Sequence, residues 1–177
     1  SGPWIAGDIE ELYSAGVQKV IIFGNCGVLD SKIEDCSIII PTKGFRDEGT
    51  SYHYVSPSET IEINPDYKED FIKILNEYNF DYTEGYTWTT DAFYRETKDK
   101  IKYFKDNGAV CVEMEGTVIA SVCQRLNMKY FTFYYAGDNL DSTVWDKRSI
   151  DGPTNIDKKK EVLLIALELA VVLNNYE

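Results

Sequence analysis

Histidine is nearly missing from this chain: His53 is the only one. A single imidazole leaves too few ligands for a His-rich zinc site and offers no obvious Ser-His-Asp triad, so no metal site is expected. Cys26, Cys36, Cys111 and Cys123 show no CxxC spacing. Three of them fall in apolar strand or helix patterns, so they read as buried free thiols, which fits a reducing cytosol. No apolar run approaches transmembrane length and the start has no signal-peptide pattern, so a cytoplasmic chain without a membrane partner is expected. Positive charge is also scarce. Eighteen Lys and Arg stand against 30 Asp and Glu, a net charge of −12, which argues against nonspecific binding to nucleic acid or anionic membrane. An anionic cosubstrate would need a local site working against that global field.

The chain does have the material for one sizeable core. With 177 residues, 44% hydrophobic and 27% charged, its composition is ordinary for a globular domain. No repeat, linker or low-complexity tract divides it, so residues 1–177 are expected to form a single domain.

Along the chain, Asp8 is a candidate helix cap, with Ile9, Leu12 and Tyr13 on the apolar face of a short helix closed by Gly16. Val17 to Gly24 reads as a buried strand, because Val20-Ile21-Ile22-Phe23 is the continuous apolar run a parallel sheet needs. Gly24-Asn25-Cys26-Gly27 then reads as a turn: either a tight strand-to-loop connection, or backbone N–H groups opened toward a ligand. Cys36 to Pro41 is a second strand, and residues 43–60 are expected to be a long polar and aromatic loop. Pro65 to Tyr78 has Phe71, Ile72, Ile74 and Leu75 at helical spacing. Phe80 to Trp88 is a third strand, Glu96 to Asn107 a surface helix, and Ile156 to Leu173 a closing helix. The polar segment 139–155 is expected to act as a lid.

The chain is organised around Gly108 to Asp141. Ala109 to Val112 is a short strand, Glu113-Met114-Glu115 a turn, Gly116 to Leu126 a helix with Val118, Ile119, Val122 and Leu126 in register, and Lys129 to Ala136 a second strand. Ligands in open α/β sheets sit beyond the carboxyl ends of strands, so Glu113, Glu115 and Asp138 are expected to converge on one crevice. On local sequence alone Asp138-Asn139 is a turn cap, and Phe93-Tyr94 is core packing.

A wider match changes those local readings. Val112-Glu113-Met114-Glu115, followed by a small residue and an apolar helix, resembles the VEMEA signature of the purine nucleoside and uridine phosphorylase family, and Ala136-Gly137-Asp138-Asn139-Leu140 resembles its later (S/G)-D-(N/H) segment. Gly24 to Gly27, Arg46 to Tyr54 and Trp88 to Thr97 agree in order and spacing. The resemblance implies an α/β fold with three αβα layers around a central mixed, largely parallel twisted sheet. It implies a nucleoside phosphorylase-like glycosyltransferase, cytoplasmic and active in purine salvage, using phosphate as cosubstrate and no cofactor, and assembled as a homo-oligomer, a trimer or hexamer.

Residue by residue, the resemblance places Glu115 on the ribose hydroxyls, Met114 against the sugar and Glu113 nearer the base. Phe93 and Tyr94 would stack on the base and cover the sugar. Asp138 would be the general acid for the departing base, since burial disfavours a charged carboxyl, and Arg148 would pair with it. Gly24 and Asn25 would contact phosphate. Three departures keep other readings open. Asn25 and Ile22 stand where phosphorylases carry a Ser or Thr and an Arg, and the N-terminal stretch common in the family is not in this sequence. A phosphate-independent nucleoside hydrolase and a non-catalytic nucleoside-binding or storage protein therefore remain alternatives. Thr97 and Asp99 replace the Gln and Arg of uridine-specific relatives, which favours a purine base.

Overall fold

Strand β1 shows how partner strands, rather than residue type, set element length. Its apolar run is inserted beside a second strand, β6, and the parallel ladder continues from Lys19↔Lys129 to Cys26↔Ala136, then past a bulge to Val28↔Asn139. The computed structural model, which describes residues 1–150 and 152–175, therefore has β1 at Lys19–Val28 and β6 at Lys129–Asn139. The expected end of β1 at Gly24 is corrected: Gly24-Asn25-Cys26-Gly27 is strand, not a turn, because β6 keeps supplying hydrogen-bond partners. All four cysteines are free and buried.

Helix α1 spans Gly2–Ser14 and starts earlier than Asp8. Pro3 sits in its first turn, where a missing N–H costs nothing and its φ is already helical. Of the three apolar residues expected to face inward, Ile9 is buried, while Leu12 and Tyr13 are exposed.

Strand β2 runs Ile38–Asp47, six residues beyond Pro41. Its polar second half is held between β3 (Thr60–Glu62), antiparallel, and β4 (Tyr82–Thr90), parallel. The long loop expected at 43–60 thus shrinks to the stretch between β2 and β3, and part of that is a 3-10 turn at Ser51–His53. Helix α2 is Lys68–Glu77, α3 Lys98–Asp106, β5 Ala109–Glu113, α4 Gly116–Leu126 and α5 Ile156–Asn174. Residue 151, inside the expected lid, lies outside the described residues.

The strand order is β3-β2-β4-β5-β1-β6, and β6 also pairs with β2 through Ile38↔Tyr135 and Ile39↔Tyr134. The sheet is α/β and mixed, with its long registers parallel, as expected, but that extra pair curls it into a closed, barrel-like surface. Cys26, Val28, Ile39, Cys111, Tyr134 and Ala136 pack together as one cluster from four of its strands. Helices form two groups around it. Helix α1 and α4 bury Ile9, Ile119 and Val122 with Val20 and Tyr130, whereas α2 and α5 bury Phe71, Leu75, Ile165 and Leu169 with Phe131 and Phe133. Among the described residues no helix is long and apolar enough to cross a membrane.

Candidate active site

The VEMEG turn is built around a carboxylate. Glu113 ends β5 buried, and its Oε1 accepts from Thr87 Oγ1 at 3.0 Å and Thr89 Oγ1 at 2.5 Å, both from β4. Its Oε2 accepts the backbone N–H groups of Glu115 and Gly116 at 2.6 Å each. Those two amides lie at the start of α4, where helix N–H groups have no partner of their own and a nearby negative charge is favoured. Burial raises the Glu113 carboxyl above its ordinary range, and the hydrogen bonds from Thr89, Glu115 and Gly116 pull it back. Gly116 is required here. A Cβ at this position would come within 2.5 Å of the Tyr134 hydroxyl and 2.9 Å of Glu113 Oε1.

Glu113 borders the cavity described below, and both its oxygens accept hydrogen bonds from β4 and the turn, which holds Met114 and Glu115 in place. Glu115, partly exposed, faces the amino group of Ser1.

Asp138 lies near the end of β6 with 8% of its surface exposed. The chain then leaves the sheet and returns through a pair of backbone bonds, Asn139 N–H to Asp146 O at 2.8 Å and Asp146 N–H to Asn139 O at 3.3 Å. This small hairpin is anchored at Asp141, which accepts from Ser31 N–H at 3.0 Å and pairs with Lys105. Lys105 holds the Asp141 carboxyl below its usual range. The hairpin places the Trp145 indole N–H 2.6 Å from Asp138 Oδ2. On the other side Gly27 lets the strands close up, since a Cβ there would come within 3.1 Å of Asp138 Oδ1 and 2.4 Å of Leu140 Cδ1.

These elements enclose a cavity of about 870 Å³, within the size range of small-molecule sites. Asn25, Phe93, Tyr94, Glu113, Met114, Glu115 and Asp138 all border it, so seven of the expected site residues come together. Phe93 and Tyr94 form its rim, 52% and 89% exposed with ring centroids 4.2 Å apart. Their exposure excludes the core-packing alternative. Gly24 does not border the cavity, and Arg148 is not brought to Asp138: its guanidinium donates to Ile33 O at 2.7 Å and lies 3.7 Å from Asp146. A carbonyl and a nearer carboxylate satisfy it, and Trp145 occupies the position beside Asp138.

Trp145, from the expected lid segment, and Glu96 also border it, though neither was expected as a site residue. Burial, followed by the charge of Asp138, pushes the Glu96 carboxyl up to about 7. The sequence signal for Glu96 was its place in the Trp88 to Thr97 stretch, three residues after Phe93.

A family model described as the Phosphorylase superfamily matches residues 9–171. The chain belongs to the phosphorylase superfamily. Among curated proteins, this superfamily member is 24% identical over 121 residues to the guanosine phosphorylase of Halorubrum lacusprofundi, covering 68% of this chain and 50% of that protein. It is 31% identical over 144 residues to the 5'-methylthioadenosine/S-adenosylhomocysteine nucleosidase of Buchnera aphidicola, covering 75% and 61%. The chain thus spans 50 to 61% of the length of these two relatives. Its fold matches the crystal structure of AMP nucleosidase from Bacteroides thetaiotaomicron with a TM-score of 0.75 at 17% identity, over 96% of this chain and 66% of that one.

Proposed function

We propose that the chain cleaves the N-glycosidic bond of a purine nucleoside, transferring the sugar to phosphate. The observation that carries this reading is that Glu115 and Asp138 border one nucleoside-sized cavity whose rim is the Phe93–Tyr94 pair. Phe93 and Tyr94 offer flat faces to the base. Glu115 accepts hydrogen bonds from the sugar hydroxyls, and its negative charge favours the positive charge that develops on the ribosyl ring. As the C1′–N bond breaks, its electron pair stays with the base, whose ring nitrogen takes a proton from Asp138. An oxygen of phosphate then bonds C1′, and Asp138 regains its proton from the attacking group. Asn25, exposed and on the cavity wall, is the phosphate contact. The proposed reaction draws on side chains and phosphate alone. Assembly as a homo-oligomer, trimer or hexamer, belongs to the same reading.

Hydrolysis is the second reading, and Ile22 favours it. Where a family phosphorylase would carry an arginine, Ile22 packs against the apolar cluster around α1 and α4, so β1 brings no cation to an anion site. Measuring base release from a nucleoside panel in phosphate-containing and phosphate-free buffer separates the two. Strict phosphate dependence supports transfer, whereas an undiminished rate without phosphate selects hydrolysis and overturns it.

A further inference from the structure

The cavity holds one carboxyl that the reaction above leaves unused. Glu96 follows the Phe93–Arg95 3-10 turn, its backbone N–H donating to Phe93 O at 3.3 Å. Its side chain, partly buried, borders the cavity and makes no hydrogen bond to any described residue. Two neighbouring carboxyls are engaged: Asp138 by Trp145, and Glu113 by Thr87, Thr89 and two amides. The titratable and charged groups that share the space with Glu96 are Asp138 from β6, Glu113 and Glu115 from the turn after β5, Cys26 from β1, Lys98 from α3 and Tyr94 from the 3-10 turn itself. Negative groups outnumber the single cation. A proton is therefore favoured on the carboxyl with the fewest compensating donors, and that is Glu96.

We propose that Glu96 contacts the departing base with a neutral carboxyl, inside the cavity that it shares with Asp138. The base contact rests on the nucleoside reading above, whereas the placement of Glu96 and Asp138 on one cavity does not. A neutral carboxyl presents an O–H donor beside a C=O acceptor. It is complementary to a heterocycle edge that carries an acceptor beside a donor, which is the edge of an oxo- or amino-substituted purine.

Two measurements on the full chain decide the proposal. Carboxyl ¹³C NMR of Glu96 gives a titration midpoint near 7, and in Asp138→Asn that midpoint falls by about half a unit or more, because the like charge is gone. An ordinary glutamate titration, or a midpoint indifferent to Asp138→Asn, overturns the neutral Glu96 beside Asp138 whether or not the chain turns over nucleosides. In steady-state assays wild type loses kcat/KM as pH rises through about 7, and Glu96→Gln, permanently neutral, loses that alkaline limb. Glu96→Ala raises KM roughly tenfold, the cost of one missing hydrogen-bonded contact. A Glu96→Gln profile that superimposes on wild type removes the base contact. If no condition releases base from wild type, the nucleoside reading fails separately and the NMR midpoint alone judges the protonation of Glu96.

Discussion

The indole N–H of Trp145 donates to Oδ2 of Asp138 at 2.6 Å, tying a residue 60% exposed on a hairpin to a carboxyl buried at the end of β6. The bond fixes the orientation of the proposed acid. Trp145→Phe keeps most of the aromatic area and removes the donor. A typical hydrogen bond contributes about 0.5–1.5 kcal/mol, so kcat is expected to fall about threefold to tenfold, with the melting temperature nearly unchanged. A kcat within twofold of wild type would show that the bond does not serve the reaction.

Glu113 serves the scaffold, and its loss is expected to appear in stability first. Glu113→Ala leaves two backbone amides and two threonine hydroxyls without their acceptor. Each unsatisfied buried group costs about 1–3 kcal/mol, and partial solvation reduces the sum to about 3 kcal/mol. Urea unfolding checks this. Glu113→Gln retains one acceptor oxygen and should fall between the alanine variant and wild type.

Most of the fold was legible because local pattern and tertiary context agree. Helix α4 spans the residues its 3.6-residue period indicated, Gly116–Leu126, since its start is fixed by the Glu113 carboxylate and its end by Asn127 at φ 54°. Strand ends were misread wherever a partner strand, invisible locally, prolonged the ladder: β1 through Asn25 beside β6, and β2 through Arg46 beside β4. Closure of the sheet depends on one short antiparallel pair, Ile38↔Tyr135 and Ile39↔Tyr134, between strands far apart in sequence. In the site, Glu115, Asp138, Phe93 and Tyr94 were found through their motifs. Glu96 and Trp145 were not, because what marks them is a neighbour across the cavity, Asp138, and not a spacing along the chain.

Gly27 is expected to matter for both packing and turnover. A Cβ there would meet Leu140 Cδ1 at 2.4 Å, Asp138 Oδ1 at 3.1 Å and Val112 Cγ1 at 3.2 Å. Gly27→Ala should therefore cost about 1–3 kcal/mol as strands shift to relieve the overlap. It should also lower kcat by displacing Asp138. Calorimetry and steady-state kinetics on the same preparation test both effects, and an alanine variant with wild-type values in each would refute the close approach.

The raised Glu96 carboxyl makes stability depend on pH. Folded Glu96 keeps its proton up to about 7, while the unfolded chain releases it near the ordinary glutamate value of 4.5. Between those values the folded state binds more protons, so this contribution is fully present below 4.5, falls as pH rises toward 7, and is flat above. At pH 8, where only wild type bears the charge, Glu96→Gln is expected to be more stable by about 2 kcal/mol, the full linkage value being reduced by solvent screening of a partly exposed group. At pH 4 the two should unfold at nearly the same denaturant concentration. The same stability difference at both pH values would contradict the assignment.

The central claim is that Asp138 hands a proton to a base leaving a sugar held by Glu115. Base release by wild type and Asp138→Asn, measured side by side on purine nucleosides with saturating phosphate, tests it most directly. The expected result is measurable release by wild type and a kcat lower by roughly 10²–10⁴ in the variant, the range for loss of a general acid. Equal rates for the two proteins, or no release by wild type with or without phosphate, would contradict it.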